Sequence, residues 1–238
     1  MHSSAHYRQL LARLPQIAVA ADQFQVLNSA KDFKSRILSL IAGATQRIYL
    51  IALYLQDDEA GREILSALYA AKQRNPALDI KVFVDFHRAQ RGLIGKGKQG
   101  GNHLMYQAMA ARHEHQIEIY GVPVKGRELL GVLHLKGFIF DDILLYSGAS
   151  LNDIYLHQQE RYRFDRYHQI HSQALTCSMV NYVDDVFLKS EAVQRLDRPG
   201  IPGAKQLKGQ IRRFKHNLRT SQYRFESIPA NSQEIAIT

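Results

Sequence analysis

Short apolar runs alternating with stretches of helical period constrain this chain more than any other feature. Arg47–Leu55 (RIYLIALYL) and Asp79–Phe86 (DIKVFVDF) are too apolar for a surface and read as buried strands. Between them, Asp57 or Asp58 is placed to cap a helix that runs to about Arg74 and stops at Asn75-Pro76. Before the first run, Lys31–Ala44 reads as a helix, with Ser29 and Asp32 spaced as a capping box. Helix-flanked apolar strands in this order predict βαβ units and a mainly parallel sheet.

The pattern continues with His87–Gly101 as a Gly-rich basic loop, Asn102–Arg112 as a helix and Ile117–Tyr120 as a strand. Leu133–Asp141 and Ile143–Ser147 are close enough for a hairpin turning at Asp141-Asp142, Arg161–Ile170 is a further candidate strand, and Ala174–Leu188 suits a packed helix. Pro199–Gly203 is a linker, and the polar tail beyond Ser227 is expected to be loose. The organisation expected is one domain over 1–198, then a linker, a helix and a tail over 199–238.

With 238 residues the chain can bury a core without staples, and its one cysteine, Cys177, excludes a disulfide framework and a cysteine-based zinc site. No run of 18 apolar residues is present, and the N-terminus lacks the apolar stretch of a signal peptide, so a cytoplasmic chain is expected. The net charge of +9 calls for a polyanionic partner. Lys189–Arg224 holds ten Lys and Arg against Glu191 and Asp197, a surplus of eight, so the charge is one local element and not a general coat. Within it Leu207, Ile211, Phe214 and Leu218 mark one face of a basic amphipathic helix. Such a helix lies on an anionic membrane, binds nucleic acid, or packs its stripe on its own domain with solvated charges outside.

Chemistry concentrates in His134-Leu-Lys136-Gly-Phe-Ile-Phe-Asp141. On a strand, His134 and Lys136 project from one face. An imidazole beside an ammonium suits attack on a phosphodiester, the His as nucleophile and the Lys holding the non-bridging oxygens. Ser147–Asn152 (SGASLN) then supplies small and amide groups, with Ser150 and Asn152 as candidate phosphate contacts. Arg88 and Arg91 follow the second strand directly, where ligands sit in open α/β sheets; they hold a pyrophosphate or belong to a solvated loop. His157, His168 and His171 match no zinc signature.

His134–Asp141 and Gly148–Asn152 resemble the HKD signature of the phospholipase D superfamily. VDFHRAQRG (84–92), YGVP (120–123), GVLHLKGFIFDD (131–142), YSGASLNDIYLHQ (146–158) and YRFDRYH (162–168) resemble, more closely, the bacterial CDP-diacylglycerol–serine O-phosphatidyltransferases. The resemblance runs from about Leu11 to Phe225. It implies a phospholipase-D-like α/β/α sandwich with a mixed, mostly parallel sheet. It also implies transfer of a phosphatidyl group from CDP-diacylglycerol to L-serine through a phosphatidyl-His, with no metal or cofactor, on the cytoplasmic face of the inner membrane. His134 is then one of a catalytic pair, Lys136 binds phosphate oxygens, and Asp141 is mainly structural. Asp165 and Glu160 either orient His134 or are surface acids. Members of this family carry two HKD motifs and this chain has one, so the second half-site is expected from further chain or from a second copy. A single-motif phosphodiesterase or nuclease acting as a homodimer is the alternative.

Overall fold

The computed structural model describes residues 14–91, 100–124, 133 and 135–238. In chain order the elements are β1 (Ile17–Ala20), β2 (Phe24–Leu27), α1 (Ala30–Gly43), β3 (Arg47–Ile51), α2 (Glu59–Arg74), β4 (Asp79–Asp85), α3 (Phe86–Ala89), α4 (His103–Ala110) and β5 (Glu118–Val122). Then come β6 (Gly137–Phe140), β7 (Ile143–Tyr146), β8 (Tyr167–His171), α5 (Gln173–Val183), β9 (Gln194–Arg195), α6 (Lys208–Thr220) and β10 (Glu234–Ile237).

Eight strands form the main sheet in the order β2-β8-β7-β6-β3-β4-β5-β9. Side chains alternate across it. Ile48, Leu50, Ile80, Val82 and Phe140 meet α1, α2 and α4 on one face. Tyr49, Ile51, Phe83 and Ile139 meet α5 and Phe214 of α6 on the other. Two apolar cores on opposite faces of one sheet make an α/β/α sandwich, as the strand–helix alternation and the resemblance imply. The expected parallel majority is corrected. Among the described residues β3 pairs in parallel only with β4, and β4 with β5; the other five pairings of the sheet are antiparallel. The βαβ units occupy one side of the sheet, and hairpins and long returns build the rest.

Local capping follows the sequence. Ser29 Oγ accepts from the Asp32 amide at 3.0 Å, and Asp58, not Asp57, caps α2 through the Gly61 amide at 3.0 Å. The first turn after β4 is helical and not loop, because Asp85 Oδ1 accepts from the His87 and Arg88 amides at 2.9 and 2.8 Å.

One further expectation for the C-terminal segment is corrected, and for the basic helix the reading with its stripe packed on the domain is the one observed. The tail is not loose at its end: β10 pairs antiparallel with β1, from Ile17↔Ile237 to Ala20↔Glu234. The apolar stripe of α6 is already committed, with Leu207 and Phe214 buried and Phe214 packed on Phe187, so it cannot also insert into a membrane. Residues 199–238 are therefore stitched onto the domain at both α6 and β10.

Candidate functional site

The site gathers at the carboxyl ends of β3 and β4. Past β3 the chain stays extended and is joined by the segment after β7. Leu55 bridges Leu151 in parallel, the Gln56 amide donates to the Leu151 carbonyl at 2.9 Å, and the Leu151 amide donates to Tyr54 at 3.2 Å. This docking sets Ser150 and Asn152 beside Tyr54 and Gln56. A second tie closes it from below: the Asp153 amide donates to Asp58 Oδ2 at 2.9 Å, and Asp153 Oδ1 accepts from Ala60 at 2.7 Å. Burial raises the Asp58 carboxyl to about 6, the two amide bonds opposing that rise.

Lys136 stands immediately before β6. Its Nζ donates to Ser150 Oγ at 2.9 Å and to the Ala149 carbonyl at 3.4 Å. Burial pushes the ammonium down to about 8, against the opposing pull of Asp165. The cation is thus half out of water and held by two neutral oxygens, and Asp165 acts on it through its field. That is the arrangement that favours an anionic ligand.

Asp165 lies against Gly148. A Cβ at Gly148 would meet Asp165 Oδ2 at 2.8 Å, so the glycine permits this close approach. Glu160 is exposed. Of the two acids proposed from sequence, Asp165 belongs to the cluster by its field on Lys136, whereas no described contact ties Glu160 to it.

Arg88 is exposed on α3, and its charge acts on Tyr54. Burial still raises the Tyr54 hydroxyl above its ordinary value. Arg91 is exposed two residues past α3. Asn152 is buried and occupied: its Nδ2 donates to Tyr54 Oη at 3.4 Å and Gln56 Oε1 at 3.3 Å, and its Oδ1 accepts from Tyr155 at 3.0 Å. It braces the turn and holds Tyr54 in place.

Asp141 sits at the far end of β6. Its carboxylate accepts from the amides of Thr45 (2.9 Å), Gln46 (2.8 Å) and Arg47 (2.9 Å), stitching the hairpin to the start of β3. Burial acts to raise this carboxyl, but the bonds from Arg47, Thr45 and Gln46 outweigh it and hold the group below its ordinary value. Asp141 also carries a left-handed φ of 51°, which Asp tolerates better than most residues. Each of the three amide contacts ties one part of the backbone to another. His134 lies outside the described residues.

Sequence reasoning missed Asp85, Tyr54 and Gln56. Asp85 is buried; besides capping α3, its Oδ2 accepts from the Leu133 amide at 3.2 Å, so one carboxylate fixes both the helix bearing Arg88 and the residue preceding His134. A carboxylate ending an apolar strand is the signal that marks it. His157 stacks on Tyr162 at 3.7 Å between ring centroids, and His168 packs against Phe24.

No family model matches the chain. It is 44% identical over 228 residues to the CDP-diacylglycerol–serine O-phosphatidyltransferase of Escherichia coli K12, covering 95% of this chain and 51% of that protein. It is 47% identical over 215 residues to the Haemophilus influenzae enzyme of that name, covering 88% and 47%. The crystal structure of Haemophilus influenzae phosphatidylserine synthase superposes with a TM-score of 0.87 at 43% identity over 95% of this chain and 51% of that one. The chain spans about half the length of the curated relatives it matches.

Proposed function

We propose that this chain, similar in sequence and fold to half of a bacterial phosphatidylserine synthase, supplies one of the two half-sites of a CDP-diacylglycerol–serine O-phosphatidyltransferase. One observation carries the proposal: the half-buried Lys136 ammonium, held on Ser150, beside His134 in sequence and, among the described residues, without a hydrogen-bonded carboxylate. It is a cation prepared for the non-bridging oxygens of a phosphodiester. Near pH 7 it is mostly protonated, and a bound phosphate favours that form further.

In this scheme one of the two motif histidines attacks phosphorus, and the phosphorus–oxygen bond to CMP breaks. The other donates a proton to the departing CMP and then takes one from the serine hydroxyl as that oxygen attacks the phosphatidyl-His. His134 is one of the pair. Lys136 and Ser150 hold the phosphate, with Arg88 and Arg91 flanking the pyrophosphate side. Asp85 and Asn152 act by positioning. The second histidine comes from further chain or a second copy.

Attachment to an anionic membrane surface, on the cytoplasmic side, is electrostatic in this proposal. Lys208, Arg212 and Arg219 are exposed on α6, while Phe214 of its apolar stripe is buried and Ile211 and Leu218 pack partly buried against the core. Each basic residue near such a surface contributes roughly 1 kcal/mol. Some of the surplus is spent internally, since Arg195 pairs with Asp197 and Glu118, and Arg213 with Glu191.

The test uses a two-motif protein containing this chain. His134→Ala is expected to abolish serine-dependent release of CMP while circular dichroism is unchanged. Near-normal release overturns the proposal, and hydrolysis of a model phosphodiester by the 238-residue chain as a dimer assigns it to the phosphodiesterase class instead.

A further inference from the structure

Lys136 lines a second environment. Between the sheet face and α5, with β1 and β10 alongside, lies a cavity of about 580 Å³. Ile51, Leu144 and Ile170 floor it, and Leu175, Met179 and Val183 of α5 wall it. Gly137 helps to make the room: a Cβ there would meet Met179 Cε at 2.8 Å, and its φ of 146° disfavours any side chain. Among the lining residues Lys136 is the one Lys or Arg, and no Asp or Glu side chain is present.

We infer that this cavity receives one acyl chain of the phosphodiester whose phosphate Lys136 holds; the inference rests on the phosphate site proposed above. The chemistry selects the occupant. Small-molecule sites are mostly apolar hollows of about 300–1,000 Å³ with a few placed polar groups. Here the floor and the α5 wall are mostly aliphatic, with His168, Tyr146, Tyr182, Tyr223 and Thr238 at other points of the lining, and one ammonium borders them. Against the floor of Ile51, Leu144 and Ile170 and the wall of Leu175, Met179 and Val183 a cytidine or a zwitterionic amino acid finds no hydrogen-bonding side chain, and burying unpaired polar groups there is costly. A hydrocarbon chain ending in an anionic phosphate matches both features at once. The ammonium fixes the head, and the floor and α5 bury the methylenes. The position of Met179 over Gly137 then sets how much of the chain enters.

The test measures binding to the 238-residue chain by titration calorimetry, with glycerol 3-phosphate and with phosphatidic acids bearing two butanoyl, hexanoyl or octanoyl chains, all below micelle formation. Affinity is expected to rise along the series, by up to about fourfold for each methylene fully buried. Met179→Trp, which fills the cavity, is expected to lower affinity for the octanoyl lipid at least tenfold and leave glycerol 3-phosphate binding unchanged. Leu175→Phe serves as a second filling variant if the first melts early. A flat series with intact glycerol 3-phosphate binding overturns the inference and spares the phosphate site. A rising series that survives both filling variants also overturns it, placing the chain elsewhere. Self-association that the filling variants weaken, with a flat series, gives the cavity to a second copy. A rising series abolished by Met179→Trp but indifferent to Lys136→Gln upholds the acyl cavity and removes the phosphate reading on which it was built.

Discussion

The two ends of β6 carry two members of one short motif and treat them in opposite ways. Lys136 precedes the strand beside the end of β3, and Asp141 follows it beside the start of β3. Five extended residues separate them by roughly 16 Å. Asp141 is spent: three backbone amides and the Thr45 hydroxyl saturate its carboxylate and stabilise its charge. Lys136 is held in reserve: two neutral oxygens fix its direction, and burial destabilises its charge. One spacing pattern holds both a carboxylate saturated by the fold and an ammonium that the fold leaves partly desolvated. Only the environment tells them apart.

The largest expected effect breaks the Lys136 end. In a two-motif protein Lys136→Ala is expected to lower kcat/KM by about 10²–10³, the range for losing one preorganised donor to developing charge. Melting temperature should hardly fall, because a half-desolvated ammonium contributes little to stability. Activity within threefold of the parent would place Lys136 among the structural residues with Asp141.

The other end should answer through stability. Asp141→Ala leaves three amides without their acceptor and puts Ala in a left-handed conformation, costing about 2–4 kcal/mol. At about 2–4 °C per kcal/mol this lowers Tm by roughly 5–15 °C. Asp141→Asn, which keeps one acceptor oxygen and tolerates the same φ, should lose about half as much. Because the folded carboxyl titrates below its ordinary value of 3.8, its contribution is present above that value and fades as pH falls through the folded pKa. The difference in stability between parent and Asp141→Asn should therefore shrink in acid. A difference constant from pH 7 to pH 3 would count against the charge-assisted account.

The contrast also explains what was legible in the residues. Helices α1 and α2, strands β3 and β4, and the turn at Asp141-Asp142 follow from caps, periodicity and apolar runs, all local signals. The short strands β1, β2, β9 and β10 went unpredicted because their pairing partners are remote; Ile17 meets Ile237 across nearly the whole chain. Strand direction escaped for the same reason, since periodicity says nothing about which neighbour a strand takes. At the site, Lys136, Ser150 and Arg88 were visible as types in a pattern. Asp85 was hidden at the end of an apolar run, and the internal engagement of Asn152 depends on Tyr54 and Gln56, about a hundred residues earlier.

Stability should register Lys136 with the opposite sign to Asp141. Its folded pKa of about 8 lies below its ordinary 10.5, so between those values the unfolded chain binds more protons and stability rises with pH. The penalty is fully present below about 8 and relieved above about 10.5. Lys136→Met should remove this dependence and stabilise the chain near pH 7 by about 1–2 kcal/mol, after allowing for solvent screening. Urea titrations at pH 7 and pH 10 measure it. Parallel changes in parent and variant would mean that the ammonium is as well solvated as any surface lysine.

The smallest effect separates the two acids near the site. Asp165 pulls the Lys136 pKa upward, so Asp165→Asn should lower it further and move the alkaline limb of kcat/KM in a two-motif protein to lower pH. Since a partly exposed charge pair is worth about 0.2–1 kcal/mol, activity at pH 7 should change no more than about fivefold. Glu160, exposed and untied to the cluster, should leave both rate and profile unchanged as Glu160→Gln. If Asp165 instead orients the catalytic imidazole, its loss should cost a hundredfold or more with the alkaline limb unmoved, because the wrong tautomer would be held at every pH. Rate and profile together therefore decide whether Asp165 acts on Lys136 or on His134.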